Sequence, residues 1–151
     1  MRKKQKNERG FTLVELMVVI AIIGVLVAIA LPKFMNQANK AKIASAQATL
    51  ASMKTSIELH AAGAKNNKYP DTDEIDGVLE GDGFAEGTVD PWGNPFKYRV
   101  KSDQKNYILW SAGPDEALGG DDDIYVDEDS PPTVGSVVTL PNGWTQVDVL
   151  Q

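Results

Sequence analysis

Residues 11–31 read FTLVELMVVIAIIGVLVAIAL, a run of 21 residues with one charge, Glu15. At about 1.5 Å of rise per residue, roughly 20 apolar residues in an α-helix cross a hydrocarbon core of about 30 Å. The run therefore predicts a membrane-spanning helix, and it withdraws its own apolar residues from any water-soluble core. Arg2, Lys3, Lys4, Lys6 and Arg9 precede it against a single acid, Glu8. Such a basic flank favours retention of the N-terminus on the cytoplasmic side. An ordinary secretory signal peptide is one rival, because Ala28-Ile29-Ala30 has the small-x-small form of a cleavage site. Against it, the run exceeds the usual signal core of about 7–15 residues, Glu15 interrupts it, and the helical pattern continues past that cut. An uncleaved single-span anchor is the second rival.

Glu15 is the informative residue. A carboxylate placed in lipid costs at least about 2.5–3.5 kcal/mol, so such a group is usually paired and functional. Residues 11–31 contain no Lys, Arg or His to pair with it. Cutting the chain after Gly10 would create an α-amino group on Phe11, one helical turn from Glu15. That amine can compensate the carboxylate within the chain or on a neighbouring subunit.

The segment Arg9-Gly10-Phe11-Thr12-Leu13-Val14-Glu15-Leu16 closely resembles the class III signal of type IV pilins and type II secretion pseudopilins. The resemblance implies that a prepilin peptidase cuts after Gly10 and methylates the new N-terminal Phe11, and that Glu15 guides assembly. Pro32 also falls where pilin-like proteins often carry a helix-kinking proline.

Beyond the apolar block, Ile43, Ala46, Leu50, Met53 and Ile57 recur at spacings of three and four. They form one apolar stripe on a second helix half, residues 32–63, packed on a sheet. Gly63 is its stop, and Pro32 is expected to kink or locally melt the helix. Residues 63–95 read as a long Gly-, Asp- and Pro-rich connection ending in the turn formers Asp90-Pro91-Trp92-Gly93-Asn94-Pro95. Trp92 is placed to plug the helix–sheet junction. Residues 96–100 and 107–110 are strand candidates, with a hairpin loop at 102–106. Residues 127–132 read as a linker, and 134–150 as a further hairpin turning at Pro141-Asn142-Gly143. The expected fold class is α+β. Its parts are a leader (1–10), a transmembrane helix half (11–31), an amphipathic half (32–63), a connection with small antiparallel sheet and acidic loop (64–124), and a C-terminal extension (125–151).

Charge narrows function. The chain carries a net -6, and residues 1–10 contribute +4, which leaves -10 on residues 11–151. A body that acidic lacks the basic face that nucleic acid requires, while it suits solubility or the binding of a hard cation. With no cysteine, neither disulfides nor thiolate ligands or nucleophiles are available. A lone histidine, His60, and no Gly-rich phosphate loop supply no catalytic constellation, so a non-enzymatic role is expected. The loop 111–124, SAGPDEALGGDDDI, sets five acids around three glycines. Adjacent aspartates repel in a compact loop, and calcium takes 6–8 oxygen ligands at 2.3–2.6 Å from such groups. A solvated acidic loop remains the alternative.

The segments DPWGNPFKYRV and YILWSAGPDEALGGDDDI look like the G subunit, the major pseudopilin family of type II secretion, where a calcium-binding loop follows a short sheet. Carried over by position, the resemblance implies Asp115, Asp122 and Asp123 as calcium ligands, Asp121 less directly, with backbone carbonyls near Ala112 and Gly120. Two departures stand out: residues 70–90 are shorter and more acidic than expected, and the chain runs on to Gln151. The resemblance implies a structural subunit held by one span in the inner membrane with a periplasmic C-terminal domain. It would polymerise into a periplasmic pseudopilus that drives export of folded proteins. Its partners would be further copies, minor pseudopilins, an inner-membrane assembly platform and the prepilin peptidase, with no nucleic acid. A type IV pilin for adhesion, motility or DNA uptake is the alternative, and an anchored calcium-dependent binding module is a more distant one.

Overall fold

The computed structural model describes residues 10–115, 117, 119–135 and 144–151. It divides into two compact units, the first ending at Asn39 and the second running from Lys40 to Gln151. Among the described residues, a single helix, α1 (Leu13–Gly63), supplies all of the regular structure of the first unit and opens the second. Its N-terminal half is long and apolar enough to cross a membrane, judged by length and composition, and its large side chains from Phe11 to Leu31 are exposed within this chain. Pro32 lies inside α1 without melting it. The ring removes one backbone donor, a loss that membrane helices tolerate when neighbouring groups satisfy the freed carbonyl.

In the second unit α1 buries Ala46, Leu50, Met53, Ile57 and Ala61 on one face, with Ile43 packed beside them. That is the stripe expected from the spacing. The helix stops at Gly63, where the N–H of Ala64 still reaches the carbonyls of His60 and Ala61. A short helix, α2 (Ile75–Gly81), follows. It was not expected, because seven residues containing Gly77 fall below any helical periodicity. It holds its place by burying Ile75 and Leu79 in the core.

Five strands form an antiparallel sheet in the order β4-β3-β2-β1-β5: β1 (Lys97–Lys101), β2 (Tyr107–Ser111), β3 (Ile124–Asp127), β4 (Thr133–Val134) and β5 (Trp144–Asp148). Tyr98 and Val100 of β1 face the core while Lys97 and Arg99 alternate outward. All five residues of β2 are buried. Tyr107 and Leu109 join the helix-facing core, and Ile108 and Trp110 pack with Tyr125 and Trp144 in a separate cluster. Arg99 lies over the Trp110 ring at 5.1 Å.

Only part of the expected C-terminal hairpin falls among the described residues. The first arm, 137–140, and the Pro141-Asn142-Gly143 turn lie outside the described residues. The second arm is β5, which pairs with β1 in the register Tyr98↔Val147, joined by an ion pair between Lys97 Nζ and Asp148 at 2.6 Å. Val149 and Leu150 then enter the main core, and Leu150 N–H donates to Asp76 Oδ1 at 2.6 Å. The 127–132 segment is no free linker either. Lys54 Nζ donates to the carbonyls of Asp127, Glu128 and Ser130 at 2.5, 3.2 and 3.0 Å, and the Glu128 carboxylate accepts from Asn106 Nδ2 and from Tyr107 N–H. Here the acidic residues serve a turn fastened to the body, because one ammonium satisfies several carbonyls at once.

Candidate functional site: the helix N-terminus and the acidic loop

Two places carry the residues singled out in the sequence. At the start of α1, Thr12 is the N-cap. Its hydroxyl accepts from Glu15 N–H at 3.2 Å, and Glu15 Oε2 accepts from Thr12 N–H at 2.9 Å and from the Thr12 hydroxyl at 2.7 Å. This is a reciprocal capping box. The lone carboxylate of the apolar segment thus accepts two hydrogen bonds within its own first turn. Sequence reasoning passed over Thr12, although a Thr three residues before a Glu at the head of an apolar run is the signature of that box. Gly10 and Phe11 precede the helix and are exposed.

The second place is the loop between β2 and β3, and a brace on its N-terminal side sets its conformation. Asp90 is buried. Its Oδ1 accepts from the N–H groups of Trp92 and Asn94 at 2.9 and 2.8 Å, and its Oδ2 accepts from the Ser111 hydroxyl at 2.5 Å. Asn94 Nδ2 donates to Gly113 O at 3.3 Å. The turn before β1 is therefore tied to the step at which the acidic loop leaves β2. Asp90, Asn94 and Ser111 were not picked out as site residues. Trp92 sits against the core as expected, with Lys42 Nζ 5.8 Å from its ring.

After a 3-10 turn at Gly113–Asp115, two carboxylates come together. A Cβ at Gly120 would stand 2.4 Å from Asp122 Oδ1 and 2.9 Å from Asp115 Oδ2, so both acids converge on a residue with no side chain. Gly113 meets the same constraint, with φ +66° and a would-be Cβ 2.5 Å from the Asp122 carbonyl. Asp123 is fully buried, and its Oδ2 accepts from Gly119 N–H at 2.8 Å. Asp121 is exposed. Asp115 and Asp122 are thus brought together, while Asp123 lies buried beside them. Among the described residues no three His, Cys, Asp or Glu side chains are grouped closely enough to hold a metal by themselves, so a full shell would need backbone carbonyls. The donors present are hard oxygens, which match calcium and not a thiophilic metal.

The apolar span, its capped N-terminus and the head of one helix on a small antiparallel sheet define a pilin-like subunit. Residues 5–31 match the model of the prokaryotic N-terminal methylation motif, and residues 33–127 match that of type II secretion system protein G. The chain belongs to the type II secretion system protein G family. Among relatives, it is similar to type II secretion system core protein G of Escherichia coli K12, at 33% identity over 138 residues, covering 82% of this chain and 93% of the relative. The core protein G of Pseudomonas aeruginosa is 29% identical over 133 residues, covering 79% and 92%. That of Aeromonas hydrophila is 29% identical over 135 residues, covering 80% and 93%. No solved structure matches. The head match decides between the two readings of the sequence in favour of the secretion subunit over the surface pilin.

Proposed function

We propose that this chain is the major subunit of a periplasmic pseudopilus and that its N-terminus works as an assembly device. Residues 1–10 form a leader removed after Gly10 by a prepilin peptidase, which methylates Phe11. The mature subunit waits in the inner membrane with residues 11–31 in lipid and its head in the periplasm. An assembly platform extracts it into a filament with further copies and minor pseudopilins, and growth of that filament drives folded proteins outward. The observation that carries this reading is the Thr12–Glu15 box at the head of a 51-residue helix. The box keeps the carboxylate hydrogen-bonded in the membrane, where an unpaired charge is costly. A neighbour's Phe11 amine then offers the same carboxylate an opposite charge, which lipid strengthens. That exchange is realised only between subunits, so it favours the filament.

The loop 111–124 is proposed to bind calcium. Asp115 and Asp122 would supply carboxylates at Gly120, and Asp123, Asp121 and carbonyls near Ala112 and Gly120 are the further candidates. The ion would neutralise converging acids and fasten the loop between β2 and β3.

Intact-mass measurement of membrane-extracted protein tests the processing. Loss of residues 1–10 with one added methyl group is expected, and a mature chain beginning at Leu31 would return the ordinary signal peptide. Glu15→Ala is expected to insert normally and to lower filament yield at least tenfold. Normal yield would remove the pairing account.

A further inference from the structure

A groove of about 560 Å³ lies between the last turns of α1 and helix α2, lined by Leu59, Gly77 and Val78 together with Asp73, Glu74 and Asp82. Leu59 is 66% exposed, a large apolar side chain with nothing of this chain over it. Among the described residues, the ion pairs are Lys54–Glu58, Lys97–Asp148 and Lys101–Asp103, so no Lys or Arg pairs with the three acids of the groove, and His60 is the one base that lines it. An occupant should therefore be apolar and basic together.

This chain carries such a segment. Between Leu16 and Ile57, α1 holds four lysines and no acid. Lys33 and Lys40 are exposed and seven residues apart, which puts them on one helix face. Phe34 and Met35 beside them are 72% and 59% exposed.

We propose that the groove receives the Lys33–Lys40 stretch of α1 from a second copy of the chain, the lysines meeting Asp73, Glu74 and Asp82 and Phe34 packing on Leu59 and Val78. The proposal rests on the filament reading and adds a second, distinct contact to it. Phe34 and Leu59 are 25 positions apart in the sequence, so this contact joins copies out of step by many turns of the helix. Pairing of Glu15 with a neighbour's Phe11 amine needs a displacement of only about one turn, roughly 5 Å. The two contacts therefore join different pairs of subunits and can be broken separately.

The test is made on the full chain, produced in cells with its secretion machinery, by measuring filament yield and membrane-inserted monomer. Lys33→Asp with Lys40→Asp should lower yield at least tenfold at unchanged monomer level, and Asp73→Lys with Asp82→Lys should do the same. Combining the four changes should restore yield to within about threefold of the original. The chain has no cysteine, and a Cβ at Gly77 meets open space. Phe34→Cys with Gly77→Cys should therefore give oxidative ladders in filaments, with neither single change doing so. Full assembly of either charge-reversed pair overturns the proposal. So does loss in both pairs with neither rescue nor cross-link, which would mean that the groove holds a basic segment of another protein. Absence of filaments from the unaltered chain would instead strike the filament reading itself.

Discussion

Glu15 and Tyr98 show how a single polar group is handled in two different solvents. In the apolar segment, Glu15 is answered by the nearest backbone and hydroxyl groups, those of Thr12. In the head, the buried Tyr98 hydroxyl donates to Pro70 O at 2.8 Å. Its ring lies 6.0 Å from that of Tyr107, which in turn lies 4.6 Å from that of Tyr69. Burial, with nearby carboxylates adding, pushes the phenols of Tyr98, Tyr107 and Tyr69 above their ordinary range. A raised folded-state value favours the protonated form, so this stabilisation is complete below the unfolded tyrosine pKa of about 10 and is lost as pH rises beyond it. The detergent-solubilised chain is expected to hold a constant tyrosine contribution to about pH 9.5 and to melt progressively lower above pH 10. Tyr98→Phe should cost about 1–2 kcal/mol at neutral pH through its lost hydrogen bond. Its melting deficit should shrink as pH passes 10, and a deficit independent of pH would refute the account.

At the scale of elements, the C-terminal residues have a role that their sequence conceals. β5 adds to the free edge of β1, Lys97 pairs with Asp148, and Val149 and Leu150 fill the core beyond the strand. Val149 N–H donates to Phe96 O at 2.9 Å and Leu150 O accepts from Gly87 N–H at 2.6 Å. The tail thereby holds the α2 region and the start of β1 together. Leu150→Ala is expected to destabilise the head by about 2–5 kcal/mol, the range for emptying a buried leucine site. Deletion of exposed Gln151 should be neutral, about 0.5 kcal/mol or less. Thermal melts of the two variants give the comparison, and equal melting temperatures would mean that the tail is dispensable.

For the molecule as a whole, the proposed calcium ion would join parts that other contacts already bring close. The loop is tied to the turn before β1 through Asp90 and Ser111, and Gly135 N–H donates to Asp123 O at 2.9 Å, which links it to the segment after β4. An ion bound only by the folded state adds about 2.7 kcal/mol at a hundredfold excess over its Kd. The full chain in detergent should melt several degrees higher in millimolar calcium than in chelator. Magnesium should give a smaller shift, since it demands tighter octahedral geometry. Asp122→Ala should remove most of the calcium effect, whereas Asp127→Ala should leave it, because Asp127 Oδ1 only closes a turn with Asp129 and Ser130. No shift in the unaltered chain would reduce the loop to a solvated acidic turn.

What could be read from the residues alone was whatever depends on spacing along the chain. The apolar run, the 3–4 stripe from Ile43 to Ile57 and the alternation of β1 are local patterns that reappear as elements, and the methylation motif, equally local, matches its family model. The hidden features depend on residues far apart in sequence. Helix α2 is too short to signal itself and exists because Ile75 and Leu79 are buried. The 127–132 segment looked like a linker because its acids suggested solvent, until Lys54, 73 residues away from Asp127, supplied the donor. The strand at 144–148 was legible, but its partner was not, since alternation specifies a face and not a neighbour. Which aspartates converge was likewise decided by Gly113 and Gly120, whose missing side chains leave the space that Asp115 and Asp122 enter. A local pattern determines which element forms. Which elements meet is settled only when the whole chain competes for one core.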